Sequence, residues 1–171
     1  MEKMTKVDTA IIGGGAAGMV SAITAADRRK RVLILEKGPQ LGRKILISGN
    51  GRCNVTNIEA DKMDHYHSND RDFIQGIIEK FSLEKTISFF TDLGIELVEE
   101  KRGRLFPRSN QAQSVVDVLK DRIQRLNVKV VLNCKVTEIE KYSGGFVIKT
   151  GGKELFAAEN VILASGGVSA E

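Results

Sequence analysis

Long apolar stretches are missing from this sequence. No run approaches the roughly 20 residues that a membrane-crossing helix needs, so no segment is expected to span a bilayer. The opening MEKMTKVDTA carries charges of both signs and leads straight into a strand pattern, unlike a signal peptide. Cysteine is scarce: Cys53 and Cys134 lie far apart and form no Cys-x-x-Cys pair. That argues against a disulfide framework and for free thiols in a reducing cytoplasm. Histidine is scarcer in effect, because His65 and His67 in HYH have no cysteine or further histidine near them. A polar loop is expected there and no metal site, with Tyr66 as a surface anchor. Nothing spells a Ser-His-Asp arrangement or a phosphate-binding loop with its lysine. Repeats and low-complexity segments are absent too. Charge of either sign is not concentrated: the net charge is +4, and only DRRKR at 27–31 makes a short basic run. Such a balance suits an anionic ligand and disfavours nucleic acid as a partner.

What is present is ordinary for a globular protein, with 42% hydrophobic and 28% charged residues. At 171 residues one domain with a substantial core is expected. VDTAII (7–12) reads as a buried strand, 16–28 as a helix rich in small residues, and RVLILE (31–36) as a second buried strand. Strand, glycine turn, helix and strand in this order make a βαβ unit with parallel pairing. The segment 37–70 reads as mostly loop. Helices are expected over DRDFIQGIIEKF and SLEKTISFFTDLG, the second capped by Ser82 and stopped at Gly94. IELVEE and RLFP suggest a short hairpin turning at Arg102–Gly103. SVVDVLKDRIQRL (114–126) is amphipathic, with Val115, Val118, Leu119, Ile123 and Leu126 facing inward. VKVVLN reads as a third buried strand. KVTEIEKY, GFVIKT and KELFAA alternate as a small antiparallel meander, and NVILAS closes as a fourth buried strand.

Three consecutive glycines separate the first strand from the first helix. The spacing Gly13-x-Gly15-x-x-Gly18 at that junction is the context a dinucleotide-binding fingerprint requires. Gly13 permits the sharp turn, Gly15 lets a pyrophosphate approach bare backbone, and Gly18 lets the helix pack on the strand. The phosphates then meet free N–H groups at a helix N-terminus. Gly14 is not required by this spacing. Glu36 ends the second strand, where a carboxylate accepts hydrogen bonds from a ribose and repels a 2′-phosphate. Both FAD and NAD use this fingerprint. The long polar loop after Glu36, in place of a prompt crossover helix, favours FAD.

GRKILISGNGRCNVTN (42–57), GRLFPRSNQAQSVVDVL (103–119) and VILASGG (161–167) together resemble blocks of a bacterial flavoprotein family. These are the NAD(P)/FAD-dependent oxidoreductases that include aminoacetone-oxidase-like proteins and bile-acid 3-dehydro-Δ4,6-reductases. The resemblance covers essentially the whole chain. It implies an α/β fold, a Rossmann-like FAD-binding domain of the glutathione-reductase type, with a parallel sheet and a small antiparallel meander. It implies FAD as cofactor, NAD(P)H as a candidate electron donor, a small-molecule substrate, and hydride transfer at flavin N5. Gly13, Gly15, Ala16, Ala17 and Gly18 would cradle the pyrophosphate, with Glu36 on the adenosine ribose. Lys37, Arg43 and Lys44 would lie beside the cofactor. Ser48, Gly49, Asn50, Gly51, Arg52 and Cys53 would pass close to the flavin ring. Val136 would meet the adenine through its backbone, and Ala164, Ser165 and Gly166 would close over the cofactor.

The chain departs from the family at Asn50, where glycine is usual, and at Ser165, where threonine is usual. Asparagine tolerates left-handed backbone angles, and serine keeps the hydroxyl. Family members also continue well past the position of Gly167. The expectation is therefore a partial FAD domain: a fragment, a truncated product or half of a split protein. Self-association or a missing C-terminal half would follow from an uncovered final strand. Alternative readings are a non-catalytic nucleotide-binding fragment and the FAD domain of a tRNA-modifying flavoprotein. Cys53 reads as packing beside the flavin or as a redox thiol. Cys134 reads as core, and ELVEE (96–100) as a solvated strand face. Arg104 and Arg108 read as solvated or as contacts for an acidic substrate. No side chain stands out as a catalytic acid or base.

Overall fold

The computed structural model describes residues 4–152 and 154–167. Lys153 of KELFAA, the opening MEK and the closing VSAE lie outside the described residues. The chain divides into two compact units, Met1–Lys44 with Leu119–Glu171, and Ile45–Val118.

The first unit is built on a six-stranded sheet. Strand β1 (Thr5–Ile12) leads through helix α1 (Ala16–Asp27) to β2 (Val32–Leu35), which pairs parallel with β1. All four residues of β2 are buried. An unbroken apolar strand is what a parallel sheet covered on both faces demands. α1 turns Gly18, Met19, Ala22, Ile23 and Ala26 inward, and its small residues allow a close approach.

At the entry to β2 the Asp8 carboxylate accepts hydrogen bonds from the Arg31 backbone N–H (2.7 Å), Nε (3.0 Å) and Nη2 (2.6 Å). The side-chain hydrogen bonds of Arg31, then its backbone one, hold the Asp8 carboxyl below the usual range. A group depressed in the folded state contributes stability above its unfolded pKa and loses it as pH falls through the folded value. Denaturant melts should therefore show Asp8→Asn less stable than the parent near neutrality. The gap should begin to narrow as pH falls past about 4, the unfolded carboxyl's value, and should close only as pH drops through the lower folded value. A gap constant with pH would remove Asp8 from this role.

The remaining strands of the first unit are β6 (Lys129–Val131), β7 (Val136–Tyr142), β8 (Gly145–Thr150) and β9 (Leu155–Leu163). They complete the order β6-β2-β1-β9-β8-β7. β6 and β9 run parallel to β2 and β1, while β7, β8 and β9 pair antiparallel. Two sequence-based expectations change here. VKVVLN is an edge strand, exposed at Lys129 and half-buried at Val130 and Val131, because nothing pairs beyond it among the described residues. LFAA and NVIL are one continuous strand, whose first half pairs with β8 while its residues from Phe156 to Leu163 follow β1. The meander is thus part of the main sheet. NVIL is less buried than expected, and Leu163 is 71% exposed. Val7, Ala10, Leu33, Leu35, Cys134, Ile148, Phe156 and Ala158 form a buried cluster in this unit, so Cys134 is core as expected.

In the second unit the segment read as loop carries more structure. Helix α2 (Arg43–Ile47) leads into it, followed by 3₁₀ turns at Ser48–Gly51 and Met63–His65. β3 (Thr56–Asn57) joins the expected hairpin of β4 (Leu97–Glu100) and β5 (Arg104–Pro107) in a sheet of order β3-β5-β4. Helices α3 (Arg71–Lys80) and α4 (Leu83–Asp92) are capped by Asp70 and Ser82, whose side chains accept from the Phe73 and Lys85 N–H groups. α5 (Ala112–Arg125) leads out. It buries Val115, Val116, Leu119 and Ile123, leaving Val118 and Leu126 half-buried.

Candidate functional site

Parallel strands with helical crossovers bring their C-terminal ends to one side, and ligands bind where the strand order reverses direction. In the first unit that place is the end of β1, because the chain moves to β2 on one side while β9 lies on the other. The three glycines stand there, and each has its own reason.

Gly13 has φ +110°, and a Cβ on it would lie 2.4 Å from the Ala164 carbonyl oxygen. The backbone leaving β9 is bonded close by, through the Ala164 N–H to the Ile12 carbonyl at 2.8 Å. Gly18 is equally confined, since its Cβ would stand 1.9 Å from the Gly13 carbonyl oxygen. Gly15 is the opposite case. It occupies the N-cap of α1 with φ −80° and no side-chain cap, and an added Cβ meets no atom within 4 Å. Ala16 and Ala17 are exposed, and the first turn of α1 has no acidic residue to repel an anion. Uncapped N–H groups and the positive end of the helix dipole meet there.

Sequence reasoning missed Gly14. It is buried, and a Cβ on it would press 2.3 Å from Leu41 Cδ2 and 3.2 Å from Glu36 Oε2. Its N–H donates to Glu36 Oε2 at 2.6 Å, while the Gly38 N–H donates to Oε1 at 2.7 Å. The carboxylate at the end of β2 is thus aimed by two backbone donors. Each oxygen keeps a free lone pair for a further donor. The run of three glycines was the available signal, because a two-glycine turn leaves the middle residue unexplained.

The other first-unit assignments fall around this point. Val136 opens β7, two residues past Cys134, whose N–H donates to the Glu36 carbonyl at 2.8 Å. Lys44 donates from Nζ to the Gly167 carbonyl at 3.0 Å, beside Gly166 with φ +73°. Lys37, Arg43 and Ser165 are exposed, and Ala164 is half-buried.

In the second unit Ser48–Cys53 forms a turn of unusual backbone. Gly49, Asn50, Gly51 and Cys53 have φ of 56°, 57°, 81° and 62°. Glycine adopts such angles freely and asparagine with little resistance, but a cysteine there costs roughly 1–2 kcal/mol. A Cβ on Gly49 would lie 2.6 Å from the Asn54 nitrogen, so this glycine has no substitute. Burial pushes the Cys53 thiol up, against a lowering hydrogen bond with Ser48. A protonated buried thiol fits the packing role better than a thiolate one.

The carboxylates of ELVEE are not all simply solvated. Glu96 takes a bidentate pair from Arg108 Nε and Nη2, both at 2.6 Å, and this pairing lowers its carboxyl pKa. Glu100 binds Arg52. Arg108 thus spends its Nε and Nη2 donors on Glu96 at the surface. His65 pairs with Glu59 at 3.1 Å, and no group of three metal-ligating side chains occurs among the described residues. No helix among them is long and apolar enough to cross a membrane.

Comparison with known proteins matches residues 7–171 to the HI0933-like protein Rossmann domain. The chain is 42% identical over 159 residues to the 3-dehydro-bile acid delta(4,6)-reductase of Clostridium scindens, covering 92% of this chain and 38% of that protein. It is 35% identical over 166 residues to the ribosomal RNA dihydrouridine synthase of Escherichia coli K12, covering 97% and 41%. The chain therefore spans about two-fifths of the length of these curated relatives. Among solved structures, 3-ketosteroid-delta4-(5alpha)-dehydrogenase from Rhodococcus jostii RHA1 superposes with a TM-score of 0.71 at 16% identity. That match covers 95% of this chain and 48% of the other, and shows a shared fold. The glycine corner, the carboxylate after β2 and the family match agree: this chain belongs to the HI0933-like Rossmann domain family and has the fold of a Rossmann FAD-binding domain.

Proposed function

We propose that this chain supplies the FAD-binding portion of a cytoplasmic flavin-dependent oxidoreductase. The observation that carries this reading is the open N-terminus of α1 at Gly15, standing beside a carboxylate aimed by two backbone N–H groups. A pyrophosphate fits there because Gly15 offers bare backbone, Ala16 and Ala17 are small and exposed, and the first turn of α1 carries no acid. Glu36 would take the adenosine ribose hydroxyls on its remaining lone pairs, and the Val136 backbone would edge the adenine. Lys44, Arg43 and Lys37 would add positive charge, and Ala164, Ser165 and Gly166 would close the cofactor's other side. The family resemblance assigns Ser48–Cys53 to the flavin ring.

FAD, when bound, supplies hydride transfer at its N5, and NAD(P)H would serve as electron donor. The chain's own groups bind, orient and exclude water. The names of the relatives, a delta(4,6)-reductase and a dihydrouridine synthase, favour reduction of a carbon–carbon double bond in a small molecule or a uridine. The second substrate class has a specific support in the 35% identity to the RNA enzyme. RNA retention that weakens steeply with salt would favour it over a small-molecule substrate. Free Cys53 and Cys134, both buried, support the cytoplasmic placement.

Titration with ADP and with its 2′-phosphorylated form tests the ribose assignment. The native chain should prefer ADP, because Glu36 repels a 2′-phosphate. Glu36→Ala should weaken ADP by roughly 10- to 100-fold, the worth of hydrogen bonds to a charged group, and should narrow the preference. It should also lower the melting temperature, since the Gly14 and Gly38 N–H groups lose their acceptor. An unchanged preference between the two nucleotides would remove Glu36 from the ribose, whatever happens to stability.

A further inference from the structure

We infer that Arg52 is a positioning residue, a latch that holds the Ser48–Cys53 turn in its left-handed shape by gripping the β4–β5 hairpin. Its guanidinium carbon lies 4.1 Å from the centre of the Phe106 ring. Its Nη1 donates to Glu100 at 2.8 and 3.1 Å and to Asn110 Oδ1 at 3.2 Å. All three partners belong to the hairpin or its exit: Glu100 ends β4, Phe106 is the 2%-exposed core of β5, and Asn110 follows it. The other end of the turn meets the same ring, because a Cβ on Gly49 would stand 3.0 Å from Phe106 Cε1. The turn therefore spans Phe106, clasped at Gly49 by close approach and at Arg52 by stacking.

Such a latch has a reason to exist. A left-handed backbone angle at a residue like Cys53 persists only where surrounding structure over-determines it. Short-range backbone bonds close the turn from within, among them Arg52 N–H to the Gly49 carbonyl at 3.3 Å and Cys53 N–H to the Ser48 carbonyl at 3.0 Å. The Arg52 guanidinium, through Nη1 and its place over the Phe106 ring, supplies the external hold. A planar guanidinium stacks and binds a carboxylate at once, which a lysine ammonium does not. Glu100 also neutralises the Arg52 charge, so Arg52 acts through the shape of the turn and not by offering charge to a ligand. The consequence for flavin rests on the FAD reading above; the latch itself does not.

Cys53, 6% exposed and at the end of the turn, reports the latch directly. In a Cys134→Ser background it is the only thiol, and its reaction with a disulfide reagent such as DTNB reads how often the turn opens. Arg52→Ala and Arg52→Lys should both label at least tenfold faster than the parent, with Glu100→Ala intermediate and the cooperative melt preserved. In flavin-loaded protein the same variants should shift the visible band of bound FAD while leaving ADP affinity unchanged. Equal labelling rates in the parent and Arg52→Ala would overturn the latch. Full protection in Arg52→Lys would overturn it too, since charge alone would then suffice. Failure of the parent to bind FAD or ADP would sink the cofactor reading, and the labelling rates would still decide the latch.

Discussion

Gly15→Val should yield a folded protein that has lost FAD. The substitution is sterically free within the chain, because φ at Gly15 is −80° and an added Cβ meets no protein atom within 4 Å. Replacing glycine, a favoured N-cap residue, by valine costs about 1 kcal/mol, which the fold tolerates. The branched side chain does occupy the approach to the uncapped N–H groups of α1. A phosphate displaced from there loses charge-assisted hydrogen bonds and the dipole together. The expected loss of FAD and ADP affinity is at least about 100-fold, near 2.7 kcal/mol. Fluorescence titration against a circular dichroism melt measures both sides. A native melt with native affinity would disprove the cradle.

Gly18→Ala should do the reverse, damaging the fold before the ligand is considered. A methyl at Gly18 would lie 1.9 Å from the Gly13 carbonyl oxygen, a backbone atom that cannot rotate away. Relief requires α1 to move off β1, which separates Met19, Ala22 and Ile23 from their neighbours. Overpacking against backbone in a tight core costs about 3 kcal/mol. For a chain of this size that lowers Tm by roughly 6–12 °C. A thermal melt unchanged within a degree or two would show that the helix has slack the structure denies. The pair separates the two jobs of one motif, Gly15 for the ligand and Gly18 for packing.

Much of this was readable in advance. β1, α1 and β2 are written in local pattern: an apolar run, three glycines, a row of alanines, another apolar run. Each element lies within a few residues of its signal, and the βαβ crossover leaves little topological choice. Helices α3, α4 and α5 were equally legible from their 3.6-residue period. β3 was not, because a two-residue strand at Thr56–Asn57 exists only by pairing with Leu105 and Arg104. The continuity of β9 was hidden for a similar reason. Glu159 and Asn160 look like an interruption in the sequence, but pairing with β1 carries the strand through them.

The site divides along the same line. The places of Gly13, Gly15, Gly18 and Glu36 follow from spacing, since the turn, the helix start and the acid are set by positions within one βαβ unit. The purpose of Gly14 depends on a carboxylate 22 positions away. The hold on Arg52 depends on Glu100, Asn110 and Phe106, 48 to 58 positions away.

By itself the sequence determined the elements and the glycine corner, because periodicity and glycine spacing act over a few residues of chain. Only the tertiary structure decided which strand became an edge, what aims Glu36 and what braces the left-handed turn at Ser48–Cys53. Those outcomes rest on hydrogen bonds and stacking between residues that meet only after the sheets have formed.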